Sequence, residues 1–155
     1  MKLFTRRELA VALISVLGTC CAFALADQKP ALLGWAVYIW NSIPVTKTDV
    51  GEARQFFRAP TATLDQLEVH ATTLEPGKQS HPPHKHASEE VIIVDQGTVE
   101  AFGGGKWTRV GPGSVIFNAS NTLHAIRNAG DGPATYHVVS FITPVTKQLE
   151  QEAKP

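Results

Sequence analysis

His84 and His86 are the residues whose spacing says most about chemistry, and Glu90 follows His86 four residues later. On a β-strand, side chains two residues apart point to the same face, so both imidazoles would point in one direction. Glu90, at the start of the next predicted strand, could bring its carboxylate to the same point. Imidazole nitrogens and a carboxylate oxygen together suit a divalent ion such as Fe, Mn, Ni, Co, Zn or Cu.

A fourth ligand would have to come from a distant part of the chain, and His124 is placed to supply it. It begins the segment His124 to Asn128, after the predicted strand that starts at Ser114. A single His-x-His pair is a weak signal, because histidines on a strand can be exposed and idle. Four side chains of ligand type in two separate segments predict one divalent metal site, formed by His84, His86, Glu90 and His124.

The segments that must position these side chains read as short strands. From Thr61 onward, apolar-rich stretches alternate with Gly, Pro, Asn and Asp, which is typical of an all-β sandwich or barrel. Glycine-rich stretches such as Gly103-Gly104-Gly105 suit the turns between them. Strands are predicted at 64–74, 83–86, 90–95, 98–102, 106–110, 114–118, 124–128 and 135–143, and a short helix at 145–153.

The pattern His84-x-His86-x3-Glu90-x6-Gly97, followed by Gly113-x10-His124-x3-Asn128, resembles the paired motifs of the cupin superfamily. The resemblance covers about residues 75–128. It implies a single small double-stranded β-helix, or jelly-roll barrel, with the metal near one mouth. It also implies that the ligands are His84, His86, Glu90 and His124, that Gly97 is a turn residue, and that Asn128 is structural.

This sequence departs from the cupin pattern in its loops. Pro82-Pro83 lengthens the approach to the first ligand and leaves His81 as an extra histidine. In the second motif Ala119 stands where Pro is common, and Asn121 stands where Gly is common. Asparagine tolerates the left-handed backbone conformation that such a turn can require. The four ligand types are unaffected by these changes.

The N-terminal residues have the pattern of an export signal over 1–26. A basic start, Met1 to Arg7, precedes the apolar run 9–25, which ends in the small-x-small site Ala24-Leu25-Ala26. Arg6-Arg7 resembles a twin-arginine signal, although an ordinary secretory signal is the alternative. An uncleaved anchor, or a lipoprotein signal that retains Cys20, also stays open. We expect a periplasmic or secreted protein whose mature chain contains no cysteine, because Cys20 and Cys21 both lie in this segment.

The remaining chain divides into an N-terminal arm over 27–60, the barrel over 61–144 and a C-terminal tail over 145–155. The arm contains the aromatic stretch Trp35 to Trp40, which could pack on the core, bind ligand or pair with a second subunit as a homodimer. The sequence has 14 basic and 14 acidic residues, so it offers no strong field to nucleic acid. Membrane contact is expected only through the signal before cleavage, and the expected partner is a small molecule.

Three other positions have open roles. His81 is expected to be a solvated loop residue, with a role as an acid or base in the pocket as the alternative. His70 lies with Glu68 on one face of a predicted strand, which could line a cavity but more commonly meets water. Glu89 should face away from Glu90 because neighbouring strand residues point to opposite faces. No catalytic residue other than the ligands is indicated.

Two hypotheses of function follow. In the first, the protein is a metalloenzyme that acts on a small oxygenated organic compound by dioxygenase-like or Lewis-acid chemistry, as a dioxygenase, hydrolase or isomerase. In the second, it is a periplasmic binding or sensing module that performs no reaction. Mn or Fe is the favoured metal, with Ni, Zn, Co and Cu as alternatives, because folding before twin-arginine export would avoid competition from Cu and Zn.

Overall fold

A computed structural model describes residues 30–152, and every element below belongs to the compact unit that begins at Leu32. The export signal predicted over 1–26 lies outside the described residues. Within residues 30–152, no helix has the length and apolar character needed to span a bilayer.

Nine antiparallel strands and two short helical elements form the unit. The larger sheet has the order β1-β2-β3-β9-β4-β7, and the smaller sheet has the order β6-β5-β8. The elements are a 3-10 turn at Trp40–Ser42, β1 Thr46–Thr48, β2 Gly51–Ala59, β3 Gln66–Leu74, β4 Glu89–Gln96, β5 Val99–Gly103, β6 Lys106–Val110, β7 Val115–Asn118, β8 Ala125–Asn128, β9 Ala134–Ile142 and helix α1 Pro144–Glu152. The prediction of an all-β, jelly-roll-like cupin fold is confirmed, although strand pairing does not close the two sheets into a barrel.

Alternation along the strands builds the core between the sheets. On β4, Ile92 and Val94 are buried whereas Ile93 is exposed, because successive side chains point to opposite faces. The buried cluster draws on both sheets and consists of Leu74, Ile92, Val94, Val99, Ile126, Ala134, Tyr136 and Val138.

Residues 46–59, which the sequence analysis assigned to the arm, form β1 and β2 of the larger sheet. β2 pairs with β3 from Gly51↔Leu74 to Ala59↔Leu67, with an irregularity between Gln55 and Phe57. This bulge shifts the side chains on its two sides out of one alternating series. A single period of two is therefore absent from the sequence of β2, which explains why the strand was not predicted.

The aromatic stretch of the arm is partly packed and partly exposed. Tyr38 contacts Phe57, with ring centroids 5.1 Å apart, and Trp40 contacts His137 on β9 at 5.7 Å. Trp35, by contrast, is 93% exposed. Tyr38 and Trp40 thus pack on the outer face of the larger sheet, while a dimer interface at this stretch stays a prediction.

Most predicted strands lie within about two residues of the observed ones, but the segment 83–86 is not a strand. It makes only an isolated bridge, in which His84 N donates to His124 O at 3.1 Å and His124 N donates to His84 O at 2.9 Å. Pro82 and Pro83 have no backbone N–H to donate, so they cannot extend the pairing. The bridge is nevertheless sufficient to bring the two motifs together.

Candidate metal centre

Strand β4 aims Glu90 into the space between the sheets. Glu90 shares a face with Ile92 and Val94, both of which are in the core, because residues two apart point the same way. Its neighbours across the sheet are Asn118 on β7 and Ser140 on β9. The carboxylate is therefore carried by an interior strand with a partner on each side, which fixes its position.

The loop that carries His84 and His86 is held in place by backbone hydrogen bonds to the second motif. Besides the His84–His124 bridge, Asn121 N donates to His86 O at 2.8 Å. Asn121 has a φ of 57°, the left-handed conformation that its sequence position suggested. Both histidines are therefore tied to the segment that precedes β8, which holds the two motifs next to each other.

The four predicted ligands converge. The ligand atoms of His84, His86 and His124 lie within 4.8 Å of one another. The carboxylate of Glu90 lies between two of these rings: one oxygen is 3.4 Å from His86 Nε2, and the other is 3.5 Å from His124 Nε2. The three histidines could therefore hold a metal ion, and Glu90 adjoins the same point.

Hydrogen bonds on the far side of two imidazoles decide which nitrogen faces the centre. Nδ1 of His86 lies 2.8 Å from the Ser88 carbonyl oxygen, and Nδ1 of His124 lies 2.8 Å from the Thr122 carbonyl oxygen. A carbonyl only accepts, so each Nδ1 carries a proton and donates it, and in the neutral ring this leaves a lone pair on each Nε2. The Nε2 atoms of both rings consequently present lone pairs to the Glu90 carboxylate.

Lone pairs opposed to carboxylate oxygens need a proton or a metal cation between them. Nε2 of His124 is buried and has no hydrogen-bond partner, which is costly unless a ligand satisfies it. Among the described residues, Glu90 forms no ion pair with lysine or arginine. A divalent ion would satisfy both the imidazoles and the carboxylate, so the residues present fit a metal.

His84 is kept in the form that a metal requires. Burial, followed by repulsion from the imidazoles of His81, His124 and His86, lowers the pKa of His84 below its usual value. A neutral imidazole is the ligand form, because a protonated ring has no lone pair to give.

A cavity of about 280 Å³ adjoins this cluster and includes Glu90 and His124 in its wall. Burial raises the pKa of the Tyr136 hydroxyl, an effect that the Ser80 and Thr72 side chains partly oppose, so the phenol is neutral at ordinary pH. The wall is mixed, with apolar side chains and several hydroxyls: Thr48, Val50, Ala53, His70, Thr72, Ser80, His81, Glu90, Ile92, His124, Ala125, Ile126, Tyr136 and Val138.

Three lining residues, Thr48, Val50 and Ala53, were missed by the sequence analysis. They belong to the segment around β1 and β2 that was assigned to the arm. Tyr136 was missed as well, because a tyrosine within an apolar strand does not differ in sequence from an ordinary core residue. The apolar run of β9 could have indicated that Tyr136 is buried, but not that it adjoins a cavity.

The positions whose roles were open now have defined surroundings. His81 is an exposed loop residue, as expected, and its ring centroid is 4.0 Å from that of His84 at the edge of the cavity. His70 also lines the cavity. Of the two alternatives for the polar face of its strand, a cavity wall or a face toward water, the structure shows the first. His137 lies on the opposite face of the larger sheet, against Trp40 and Phe56.

The resemblance to cupins implies structural roles for Gly97 and Asn128, and the structure shows both. A side chain at Gly97, where φ is +79°, would place its Cβ 2.6 Å from the Pro133 carbonyl oxygen. The buried Asn128 donates through Nδ2 to the carbonyls of Leu74 and Gly132, at 2.9 and 2.8 Å, and accepts from Gly130 N at 2.9 Å. Asn128 thereby ties three segments of chain together.

Comparison with known proteins agrees with this architecture. Residues 70–140 match the sequence model of the cupin domain, whereas no curated protein matches the chain. A polyketide cyclase from Streptomyces resistomycificus is similar in structure, with a TM-score of 0.59 and 19% identity over 70% of this chain and 80% of that one. A sugar phosphate isomerase from Silicibacter pomeroyi has a TM-score of 0.59 and 23% identity over 70% and 77%.

A third similar structure is a predicted oxalate decarboxylase from Thermotoga maritima, with a TM-score of 0.56 and 19% identity over 69% of this chain and 99% of that one. At such identities these structures share the fold alone. Together with the domain match over residues 70–140 and the two-sheet architecture, they show that this part of the chain has the cupin fold.

Proposed function

We propose that the protein binds one divalent metal ion through His84, His86, Glu90 and His124 and acts as a metalloenzyme on a small oxygenated organic compound. One observation carries the proposal. The two oxygens of Glu90 lie 3.4 and 3.5 Å from the Nε2 atoms of two imidazoles whose Nδ1 atoms already donate to carbonyls. This arrangement of electron pairs suits a cation.

The number of ligands leaves room for a substrate. Four protein ligands on an octahedral ion would leave two positions, and open positions distinguish a reactive metal from a structural one. When bound, such an ion would supply Lewis-acid polarisation of a substrate oxygen or, in the case of Fe, dioxygen chemistry.

The chain's own residues prepare the remainder of the site. Ile92, Ile126 and Val138 give the cavity an apolar side. The hydroxyls of Thr72, Ser80 and Tyr136 offer hydrogen bonds to a polar group of the substrate. A volume of about 280 Å³ is near the lower end for small-molecule pockets, which favours a compact substrate.

The structurally similar cupins carry names of several reaction types: a cyclase, an isomerase and a predicted decarboxylase. Each name applies to its own protein. The variety shows that one fold carries unrelated chemistries, so the reaction of this chain has to be argued from its site.

We propose export to the periplasm or beyond, with Mn or Fe acquired first. The basis is the signal-like segment 1–26 and its Arg6-Arg7 pair. Mn and Fe stand low in the affinity order, so folding around them in the cytoplasm would avoid displacement by Cu or Zn. Elemental analysis of protein folded in the cytoplasm should find Mn or Fe, and finding Cu or Zn under metal-limited expression would contradict this.

Metal quantification on purified mature protein tests the main proposal. The wild-type protein should hold about one equivalent of metal, and His86→Ala should hold almost none while keeping its β-sheet circular dichroism. His137→Gln is the matched control, because this histidine lies on the outer face of the larger sheet, against Trp40 and away from the cluster. Equal metal content in His86→Ala and the wild-type protein would overturn the assignment.

Turnover is tested separately on the metal-loaded protein. A panel of phenolic, enolic and 2-oxo acid compounds should include one that is consumed, with oxygen uptake recorded in parallel. Saturable binding across the panel without any product would instead identify a periplasmic binding or sensing module.

A further inference from the structure

The cavity has a second polar wall, formed by strand β3 on the side away from the metal ligands. His70 on β3 pairs with Val138 on β9, which pairs in turn with Ile92 on β4. Glu90 precedes Ile92 by two residues on the same face. His70 and Glu90 thus lie two strand spacings apart across the sheet and two residues apart along it, so their α-carbons are about 12 Å apart. Both side chains line the same cavity, so a compact ligand could reach both.

A carboxylate lies beside the ring of His70. One oxygen of Glu68 lies 3.2 Å from His70 Nδ1, and the other lies 3.3 Å from Arg58 Nε. Nδ1 is buried and has no aligned hydrogen bond, so the adjacent carboxylate is the group that its proton can face. A carboxylate only accepts, so its proximity favours the neutral ring that carries its proton on Nδ1 and its lone pair on Nε2. His70 therefore offers a hydrogen-bond acceptor to a ligand.

The surroundings of His70 favour a hydroxyl group over a second acidic group. The polar side chains nearby in the cavity wall include the hydroxyls of Thr72, Ser80 and Tyr136. None of the described residues that line this cavity is a lysine or an arginine. A carboxylate bound at this wall would meet no opposing charge, whereas a hydroxyl could donate to Nε2 and accept from a neighbouring hydroxyl.

We propose that His70, oriented by Glu68, binds a hydroxyl group of a ligand whose other end reaches the metal centre. The inference rests on the proposed metal site and narrows its substrate class to compact compounds with a metal-chelating end and a remote hydroxyl. His70 is a specificity-determining residue in this assignment, and it is separate from the cluster of His84, His86 and His124.

A pair of chelating probes tests this assignment. Benzohydroxamate chelates divalent metals and carries no remote hydroxyl, whereas 4-hydroxybenzohydroxamate adds one at the far end of the ring. Titration calorimetry on the Mn-loaded protein should give about fivefold tighter binding of the hydroxylated probe, the effect of one neutral hydrogen bond. His70→Ala should abolish this preference without changing the affinity for Mn. His137→Ala, a histidine on the outer face of the same sheet, should keep the preference.

The outcomes separate the two proposals. Equal affinity for both probes in the wild-type protein, or a preference that survives in His70→Ala, overturns the role of His70 while the metal site stands. Failure of the wild-type protein to bind Mn, or hydroxamate binding that does not depend on metal, overturns the proposed function and this inference with it. Loss of the preference in His137→Ala would mean that the effect is structural, which also contradicts a direct role for His70.

Discussion

The two walls of the cavity each pair a histidine with a glutamate, yet they differ in which ring nitrogen faces the carboxylate. At the metal centre Glu90 faces the Nε2 atoms of His86 and His124. On the opposite wall Glu68 faces Nδ1 of His70 and also pairs with an arginine. At the metal centre the carboxylate of Glu90 faces ring nitrogens that carry lone pairs. On the opposite wall the carboxylate of Glu68 lies beside a ring nitrogen that can donate a proton. Histidine and glutamate in contact therefore indicate a metal site only when the opposite ring nitrogens already donate elsewhere.

The largest expected difference between the walls is in metal affinity. His124→Ala should weaken metal binding by more than the about 10- to 100-fold that loss of an outer-shell partner costs, because a ligand is removed. His70→Ala should leave metal affinity unchanged. Competition with a metal-binding dye measures both. Similar losses for the two variants would end the distinction between the walls.

The two glutamates should respond in opposite directions when the metal is absent. Glu90→Gln replaces an acceptor by a group that can donate toward Nε2 of His86 or His124, so unfolding free energy without metal should rise by about 1 kcal/mol. Glu68→Gln removes the charge partner of the largely exposed Arg58 and should lower it by less than about 1 kcal/mol. Urea denaturation in the presence of a chelator measures both changes. A destabilised Glu90→Gln would mean that the metal-free carboxylate is already satisfied.

A smaller effect on metal affinity is expected from the side chain of Ser88, which contacts the imidazole of His86. The Ser88 Oγ lies 2.9 Å from His86 Nδ1, but the Ser88 carbonyl at 2.8 Å remains when the side chain is removed. Ser88→Ala should therefore weaken metal binding by less than about 10-fold, the lower edge of outer-shell effects. Calorimetric titration with Mn would measure this change, and a loss as large as that of His124→Ala would indicate that the hydroxyl sets the ring's orientation.

The smallest effect at neutral pH concerns Tyr136, which lies on β9 between the two walls. Burial raises the pKa of its hydroxyl above the usual value of 10.0, so the folded protein holds this proton more tightly than the unfolded chain. Stability is fully present below about pH 10 and falls as the pH rises above it. The chain has two tyrosines, so phenolate absorbance in Tyr38→Phe reports Tyr136 alone. Ionisation at or below the usual pKa would contradict its burial.

Two kinds of strand could be predicted from sequence: those with alternating apolar residues, such as Leu67, Val69 and Ala71 on β3, and short apolar runs such as β4. β2 could not, because its bulge between Gln55 and Phe57 interrupts the alternation. Its polar residues therefore resembled those of a solvated arm. The segment around His84 was predicted as a strand because His-x-His has the spacing of a strand. The prediction was wrong because two prolines limit the pairing of this segment to one bridge.

The types and order of the candidate ligands were determined by the sequence alone, because metal preference follows from side-chain chemistry and His124 could be matched to the first motif by spacing. Which nitrogen of each imidazole faces Glu90 was decided by the tertiary structure, since the carbonyls of Ser88 and Thr122 orient the rings only in the folded chain. The same holds for His70. Its strand has one polar face in the sequence, but only the stacking of two sheets turns that face toward a cavity rather than toward water.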